Sequence, residues 1–201
     1  MKFRAIGFDY SGVIAGMPGS EFERRASKLL NIDTQLFKDT YFKFNYLLNH
    51  NILTTENFWK KLLVEFDRED KYKELITFIK NLPTHEINKQ ILELADKLKA
   101  NGYKTGLLSN NTTEAANKIR GIKLTDHFDA VLVSAEIGCS KPDPKVFKVF
   151  TERLGVKTKE LIYIDDTPRS LETSKEVGFY PILFKNYKLL LTELKKIGIK
   201  I

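Results

Sequence analysis

Polar side chains that can do chemistry follow several short apolar runs along this chain. Asp9 comes directly after the first run, and Asp165 and Asp166 come directly after a later one. Ser109 closes a third run, and Lys141 follows a fourth after a short loop. Together these groups supply what phosphoryl transfer needs, which is a carboxylate nucleophile, carboxylates for Mg²⁺, and a hydroxyl and a cation for the phosphate oxygens.

The apolar runs themselves predict β-strands of one parallel sheet. They lie at residues 2–8, 103–109, 129–134, 161–164 and 180–184. From residue 83 onwards, stretches with apolar residues at helical spacing alternate with the runs. This alternation is typical of βαβ units, so we predict an α/β fold with a doubly wound, Rossmann-like parallel sheet. Ligands of such sheets bind outside the carboxyl ends of the strands, where Asp9, Ser109 and Asp165 would meet.

The carboxylates at this predicted edge indicate a metal ion. Asp9 and Asp166 would repel each other there, and a divalent cation between them removes the repulsion. We therefore predict Mg²⁺ as the cofactor.

Residues 15–82 have a different pattern from the rest of the chain. Four successive stretches carry apolar residues at helical spacing, and eleven of the 23 aromatic residues fall in this third of the sequence. We predict a compact four-helix unit inserted after the first strand. Residues 1–14 and 83–201 would form the α/β core, and residues 15–82 a helical domain. Thr84 is expected to cap the next helix, ahead of Ile87.

Composition limits the class of protein. The chain has 42% hydrophobic and 29% charged residues, which is ordinary for a globular protein. No apolar run approaches the length of a membrane span, and Met1 to Val13 lacks the features of a signal peptide. A single cysteine, Cys139, excludes an intramolecular disulfide. We predict a cytoplasmic protein that does not enter a membrane; the sequence leaves its oligomeric state open.

The net charge of +7 raises nucleic acid as a partner. Runs of Lys and Arg do not exceed two residues, however, and the sequence has neither a Gly-Arg tract nor a zinc-ligand pattern. We predict a solvated, lysine-rich surface and no nucleic-acid partner. A basic field also suits small anionic substrates.

At the strand-end residues the chain resembles the haloacid dehalogenase-like (HAD) hydrolase superfamily, in particular its phosphatase branch with a helical cap inserted after the first motif. The segments that carry the resemblance are Asp9-Tyr10-Ser11-Gly12-Val13, Leu107-Leu108-Ser109-Asn110, Lys141-Pro142-Asp143-Pro144 and Ile164-Asp165-Asp166. They stand in the family's order, and the resemblance covers nearly the whole chain. The resemblance implies that the helical unit is a mobile cap that excludes water and selects the substrate.

The resemblance also implies roles around the nucleophile. Asp9 would attack phosphorus and form an aspartyl-phosphate. Asp166 and the backbone carbonyl of Ser11 would join Asp9 around Mg²⁺, with Asp165 beside them, directly or through water. The implied activity is hydrolysis of the phosphate monoester of a small metabolite.

The phosphate itself would be held by two further motifs. By the same resemblance, Ser109 and Lys141 bind the phosphoryl oxygens, and Lys141 offsets the charge around Asp9. Asn110 is expected to line the same site. Candidate positions for substrate specificity are residues 15–20 and 48–54.

One position departs from the family pattern. Phosphatases of this family usually carry a second aspartate two positions after the nucleophile, as general acid and then base, and Ser11 stands there. A serine hydroxyl is too weak an acid for this role near neutral pH. The substrate could have a good leaving group, another group such as His50 or Tyr10 could replace the acid, or the protein could turn over slowly and mainly bind a phosphorylated ligand or a protein partner.

Haloacid dehalogenation is the other reaction that an aspartate nucleophile supports. It directs the same carboxylate at carbon, and it needs no metal. Asp165 and Asp166 are costly side by side without a cation, which favours the phosphatase.

Overall fold

The computed structural model describes residues 2–16, 19–82, 86–121 and 124–201, with the side chains of residues 19–21 left aside. The strands are β1 Ala5–Phe8, β2 Lys104–Ser109, β3 Ala130–Val133, β4 Leu161–Asp165 and β5 Tyr180–Leu183. The α-helices are α1 Gly19–Leu30, α2 Thr34–Asn49, α3 Thr55–Glu65, α4 Tyr72–Lys80, α5 Lys89–Ala100, α6 Thr113–Gly121, α7 Pro144–Leu154, α8 Ser174–Val177 and α9 Tyr187–Lys196.

The strands form one parallel sheet in the order β3-β2-β1-β4-β5. The chain builds outwards from β1 on one side and then returns to the other side of β1 with β4, so the sheet is doubly wound. The predicted fold class is confirmed. In register, Phe8 lies between Leu107 and Ile164, and the Asp9 amide donates to the Ile164 carbonyl at 2.8 Å. The residue after β1 therefore stands at the switch point of the strand order, where such sheets bind their ligands.

Helices cover both faces of the sheet. Side chains alternate along each strand, so successive residues pack against helices on opposite faces. Ile162 and Ile164 of β4 point into a cluster with α5 and α9, whereas Tyr163 points into a cluster with Phe147 and Phe150 of α7. Both clusters are buried, so the strands cannot shift in register without exposing apolar surface to water. This packing fixes the positions of the strand ends and of the polar residues that follow them.

Helices α1 to α4 surround a third hydrophobic cluster of their own. It contains Phe37, Phe58, Trp59 and Leu62, and further aromatic residues pack around it. Thr54 caps α3 by accepting a hydrogen bond from the Asn57 amide at 3.2 Å. The four predicted helices are all present, and they enclose the aromatic residues that are so dense in this part of the sequence.

The start of α5 differs from the prediction. Thr84 lies outside the described residues, and α5 begins only at Lys89. The segment before it is extended: the Gly16 amide donates to the Glu86 carbonyl at 3.0 Å, and the Asn88 amide donates to the Ile14 carbonyl at 2.8 Å. Because this backbone is paired with the chain after β1, it is not available for a helical turn.

Across the part of the chain that the structure describes, no helix combines the length and the apolar character that a membrane crossing requires.

Candidate active site

Two strand ends bring the predicted carboxylates to one edge of the sheet, and Lys141 joins them. Asp9 follows β1 and Asp165 ends β4. The Lys141 Nζ lies 2.7 Å from Asp9 Oδ1 and 2.6 Å from Asp165 Oδ2. All three side chains are buried. A lysine 132 residues away in sequence from Asp9 thus lies between two carboxylates, and no local pattern could have shown this pairing.

The backbone of Lys141 is held by Asn110, which follows β2. The Lys141 amide donates to Asn110 Oδ1 at 2.8 Å, and Asn110 Nδ2 donates to the Lys141 carbonyl at 2.9 Å. Asn110 lines the cavity as expected, and its side-chain amide links the second and third motifs. Lys141 is therefore held at its backbone by Asn110 and at its ammonium group by the two carboxylates.

Tyr163 belongs to this cluster although the sequence did not single it out. Its hydroxyl accepts from Lys141 Nζ at 2.9 Å and donates to the Leu108 carbonyl at 3.0 Å. Burial, together with the charge of Asp165, raises the pKa of Tyr163 well above its ordinary value, so the hydroxyl stays protonated. Tyr163 stands two residues before Asp165 on β4, and residues two apart on a strand share a face. That spacing is the signal that could have found it.

The cluster carries more negative than positive charge. Burial raises the pKa of Asp9 to about 7, with Lys141 acting against the rise and Asp165 adding to it. Burial acts to lower the pKa of Lys141, but the charges of Asp9 and Asp165 outweigh it and raise that pKa above its ordinary value. One ammonium thus faces three carboxylates once Asp166 is included, and a further cation would stabilise the ionised cluster.

The oxygen atoms of this cluster fit a hard divalent cation. Carboxylate oxygens of Asp9, Asp165 and Asp166 lie within 4.8 Å of one another. Asp165 already accepts from Lys141 Nζ and, at 2.8 Å, from the Thr167 amide. Among the described residues, no backbone amide donates to the carbonyl of Ser11. Both oxygens of Asp165 are thus already engaged, whereas Asp9 Oδ2, Asp166 and the Ser11 carbonyl have lone pairs to offer a cation.

Gly12 makes room for the carboxylate of Asp166. Its φ is +85°, and a Cβ at this position would overlap the Asp166 carboxyl group. Glycine alone meets both conditions, because it tolerates positive φ and has no side chain. The turn after Asp9 thus brings its backbone directly against the end of β4.

A cavity of about 980 Å³ lies between the strand ends and α2. The strand-end side includes Asp9, Ser11, Asn110, Lys141 and Asp166. The α2 residues that line it are Asp39, Tyr41, Phe42, Lys43, Asn45, Tyr46, Leu48, Asn49 and His50. Residues 48–50 of the predicted specificity region do face the cavity, but most of the helical lining comes from the preceding turns of α2.

Two residues that were predicted for the site, Ser109 and Tyr10, do not line the cavity, in contrast to Asp9 and Lys141. Ser109, the expected phosphate ligand, is 1% exposed at the end of β2, and the cavity is lined by Asn110 and the residues after it. Tyr10, one candidate for the missing acid, packs against the hydrophobic cluster under the sheet and does not line the cavity. His50, the other candidate, does line the cavity, and its Nε2 lies 2.8 Å from Ser140 Oγ.

The family is shown by sequence comparison. The family model described as haloacid dehalogenase-like hydrolase matches residues 29–184. This range is more than half of the chain, which therefore belongs to the haloacid dehalogenase-like hydrolases, as the motifs predicted.

Two relatives illustrate how this family is used elsewhere. Bifunctional epoxide hydrolase 2 of Rattus norvegicus is 29% identical over 126 residues, which are 60% of this chain and 23% of that protein. The glyceraldehyde 3-phosphate phosphatase of Pyrococcus furiosus is 29% identical over 172 residues, which are 85% of this chain and 67% of that protein. The chain spans about a quarter of the length of the epoxide hydrolases that it matches.

Solved structures confirm the fold. A HAD-like family hydrolase from Porphyromonas gingivalis has a TM-score of 0.74 at 24% identity and covers 98% of this chain and 99% of its own. A HAD family enzyme from Bacteroides thetaiotaomicron, in complex with magnesium and inorganic phosphate, has a TM-score of 0.66 at 18% identity, over 94% and 98% of the two chains. A dehalogenase is equally similar, with a TM-score of 0.67 at 19% identity over 100% and 99%. The fold alone thus does not separate the two reactions.

Proposed function

We propose that this hydrolase is a Mg²⁺-dependent phosphatase of small-molecule phosphate monoesters, with Asp9 as the nucleophile. The observation that carries the proposal is the buried Asp9–Lys141–Asp165 cluster with Asp166 beside it at the floor of the cavity. It presents a nucleophilic carboxylate, a fixed cation and further oxygen ligands within a few ångströms of one another, which are the parts that phosphoryl transfer uses.

The charge of the cluster favours phosphate over a haloacid. Three carboxylates and one ammonium give the cluster an excess of negative charge, which a divalent cation would neutralise. Asp166 and the carbonyl of Ser11 both have oxygens that can bind Mg²⁺ beside Asp9. The similarity in sequence to the glyceraldehyde 3-phosphate phosphatase of Pyrococcus furiosus, over 85% of this chain, supports this assignment.

Each residue then has a definite task. An Oδ atom of Asp9 attacks phosphorus and forms an aspartyl-phosphate, which water hydrolyses in a second step. Lys141 Nζ holds Asp9 in place and offers its charge to the phosphoryl oxygens, and Asn110 and Tyr163 keep Lys141 in position. Mg²⁺, held by Asp9, Asp166 and the Ser11 carbonyl, would neutralise the negative charge that approaches the nucleophile.

Ser109 remains part of the proposal as a phosphate ligand. Ser109 is the last residue of β2, directly before Asn110, and it is almost completely buried. A hydroxyl is able to donate one hydrogen bond to a phosphoryl oxygen, and its near-complete burial means that it reaches only a group that enters the floor of the cavity.

The helical unit is proposed as the cap of this site. We assign residues 1–14 and 83–201 to the catalytic core and residues 15–82 to the cap, since α1 to α4 have their own hydrophobic cluster and α2 faces the strand ends across the cavity. The substrate would be a small phosphorylated metabolite of the cytoplasm, enclosed between the two sides. We propose no nucleic-acid partner, because the basic residues are scattered along the chain in runs of at most two.

The test is hydrolysis of para-nitrophenyl phosphate with and without Mg²⁺, beside the Asp9→Asn variant. This substrate has a good leaving group, so it does not require a general acid at position 11. Turnover that needs Mg²⁺ and disappears in the variant supports the proposal. Absence of turnover with any divalent metal, together with release of halide from haloacids, would assign the dehalogenase reaction instead. Tight binding of phosphate without turnover of either substrate would assign a binding protein.

A further inference from the structure

An alkyl phosphate leaves as an alkoxide unless a proton reaches it, and Ser11 cannot supply that proton. In an in-line displacement, the leaving oxygen lies on the side of phosphorus away from Asp9. That direction leads from the strand ends across the cavity towards α2. A replacement acid should therefore be sought on the α2 side, at the end nearest the phosphate.

His50 is the α2 side chain that is tied to this end of the cavity. Its Nε2 lies 2.8 Å from the hydroxyl of Ser140, and Ser140 directly precedes Lys141, whose Nζ contacts Asp9. The helix itself ends there, with His50 as its C-cap residue. The ring is thus held beside the loop that carries the phosphate-binding lysine.

The other ionisable residues on the α2 face lie further away. With a rise of 1.5 Å per residue, Lys43 is about 10 Å and Asp39 about 16 Å along the helix from His50. Asp39 also accepts a hydrogen bond from Gln35 within the helix at 2.8 Å. On the core side, Asp143 accepts from the Lys145 amide at 2.8 Å as the N-cap of α7. Among these side chains, His50 combines a position beside the Lys141 loop with a ring nitrogen that has no hydrogen-bond partner among the described residues.

The imidazole ring is held in one orientation. Tyr46, one turn earlier on α2, meets it edge to face at 6.2 Å between ring centroids. Nε2 faces Ser140, and Nδ1 has no hydrogen-bond partner among the described residues. In the imidazolium form both ring nitrogens donate, so Nε2 can donate to Ser140 Oγ while Nδ1 carries the proton that is available to a ligand.

We propose that His50 is the general acid and base of this phosphatase, in the role that an aspartate at position 11 fills in relatives. The inference rests on the proposed function. In the first step, Asp9 forms a bond to phosphorus while the bond from phosphorus to the leaving oxygen breaks. The electron pair stays on that oxygen, which takes the proton from His50 and departs as an alcohol.

The second step reverses the proton transfer. Neutral His50 accepts a proton from water, whose oxygen forms a bond to phosphorus. The bond between Asp9 and phosphorus breaks, and its electron pair returns to the carboxylate. Phosphate is released, and both side chains are in their starting states. Histidine is the side chain most often used for this kind of transfer.

The experiment compares His50→Gln with the wild type on two substrates of similar size, benzyl phosphate and para-nitrophenyl phosphate. Glutamine can still hydrogen-bond to Ser140 but cannot transfer the proton. We expect kcat for benzyl phosphate, which needs an acid, to fall about 10²–10⁴-fold, and kcat for para-nitrophenyl phosphate to fall less than about tenfold. His127→Gln is the matched control, because His127 pairs with Asp96 on the core and does not line the cavity.

A second variant separates proton transfer from structure. Adding Ser11→Asp to His50→Gln restores the acid from the other side of the site, so benzyl phosphate turnover should recover while the helix contact stays altered. Equal loss on both substrates, no loss on either, or no recovery in the double variant would overturn the role of His50. Wild-type turnover of para-nitrophenyl phosphate without any turnover of benzyl phosphate would do the same. Absence of wild-type turnover of both substrates would instead overturn the phosphatase proposal, and this inference with it.

Discussion

On the strand-end side of the cavity, Asp9 and Lys141 are buried and paired, whereas several side chains on the α2 side are exposed. Asp9 and Lys141 are 7% and 6% exposed and form a hydrogen bond of 2.7 Å. Across the cavity, Phe42 and Tyr46 are 46% and 48% exposed. One hydrogen bond, between His50 and Ser140, joins α2 to the loop of Lys141.

This contrast indicates a division of work. Attack on phosphorus needs charges that are already in place, because reorganising them during the reaction would raise the barrier. Recognition of the remainder of a substrate tolerates a looser surface that can adapt to the ligand. We therefore expect substitutions on the strand-end side to affect all substrates alike, and substitutions on the α2 side to affect some substrates more than others.

The largest effect is expected for Asp9→Asn. The variant keeps the shape of the side chain but removes the nucleophile, so turnover of para-nitrophenyl phosphate should fall about 10⁴-fold or more. Circular dichroism and the thermal midpoint should show a folded protein. Turnover at the wild-type rate would exclude Asp9 as the nucleophile, and with it the division of work between the strand-end side and the α2 side.

Lys141→Met should reduce activity and stability together. Loss of the ammonium leaves Asp9 and Asp165 buried without a counter-ion, which is expected to lower the free energy of unfolding by about 3–5 kcal/mol. Turnover should fall about 10²–10³-fold, as when a charge-stabilising donor is removed. Urea denaturation measures the first quantity and steady-state kinetics the second. The exposed Lys145→Met is the control, with a change within about 0.5 kcal/mol; similar losses in both variants would mean that the pairing of Lys141 is unimportant.

Gly12→Ala tests the room made for Asp166. The added methyl group would displace the Asp166 carboxyl, so we expect about 10–100-fold weaker activation by Mg²⁺, as for other changes that move metal ligands. Gly102→Ala is a close control, since Gly102 has a φ of +86° beside +85° at Gly12 but no atom within 4 Å of the added Cβ. The two variants share the backbone strain and differ in the contact. Equal Mg²⁺ titrations in both would show that Asp166 does not bind the metal.

The smallest effect is expected for Ser11→Asp in the otherwise unchanged protein. A second acid beside the nucleophile should raise turnover of benzyl phosphate about tenfold and leave para-nitrophenyl phosphate almost unchanged, because only the former has a leaving group that needs a proton. The ratio of the two kcat values is the measurement. A fall in both rates would indicate that position 11 is too close to Asp166 for another carboxylate.

Patterns of short range were sufficient to predict much of this molecule. Apolar runs that end in polar residues located all five strands, since buried parallel strands need continuous apolar sequence. Helical spacing located α1 to α4. The start of α5 was predicted wrongly because backbone pairing between residues 86–88 and 14–16 is a contact between distant segments, which propensity does not contain.

The site shows the same limit. Asp9, Asp165 and Asp166 could be grouped because parallel strands end at one edge, and this rule needs only the order of strands along the chain. The placement of Tyr163 beside Lys141 depended on which face of β4 points towards α7. The position of Lys141 between Asp9 and Asp165 depended on distances of a few ångströms.

By itself, the sequence determined the α/β class, the family motifs and the chemical types available at the strand ends, because these follow from local periodicity and residue identity. Only the tertiary structure decided that Lys141 also pairs with Asp165, that Gly12 lies against Asp166, and that His50 at the end of α2 reaches Ser140. These features are set by packing between segments far apart in the chain. Small rotations of a helix or strand change such contacts while leaving every local pattern intact.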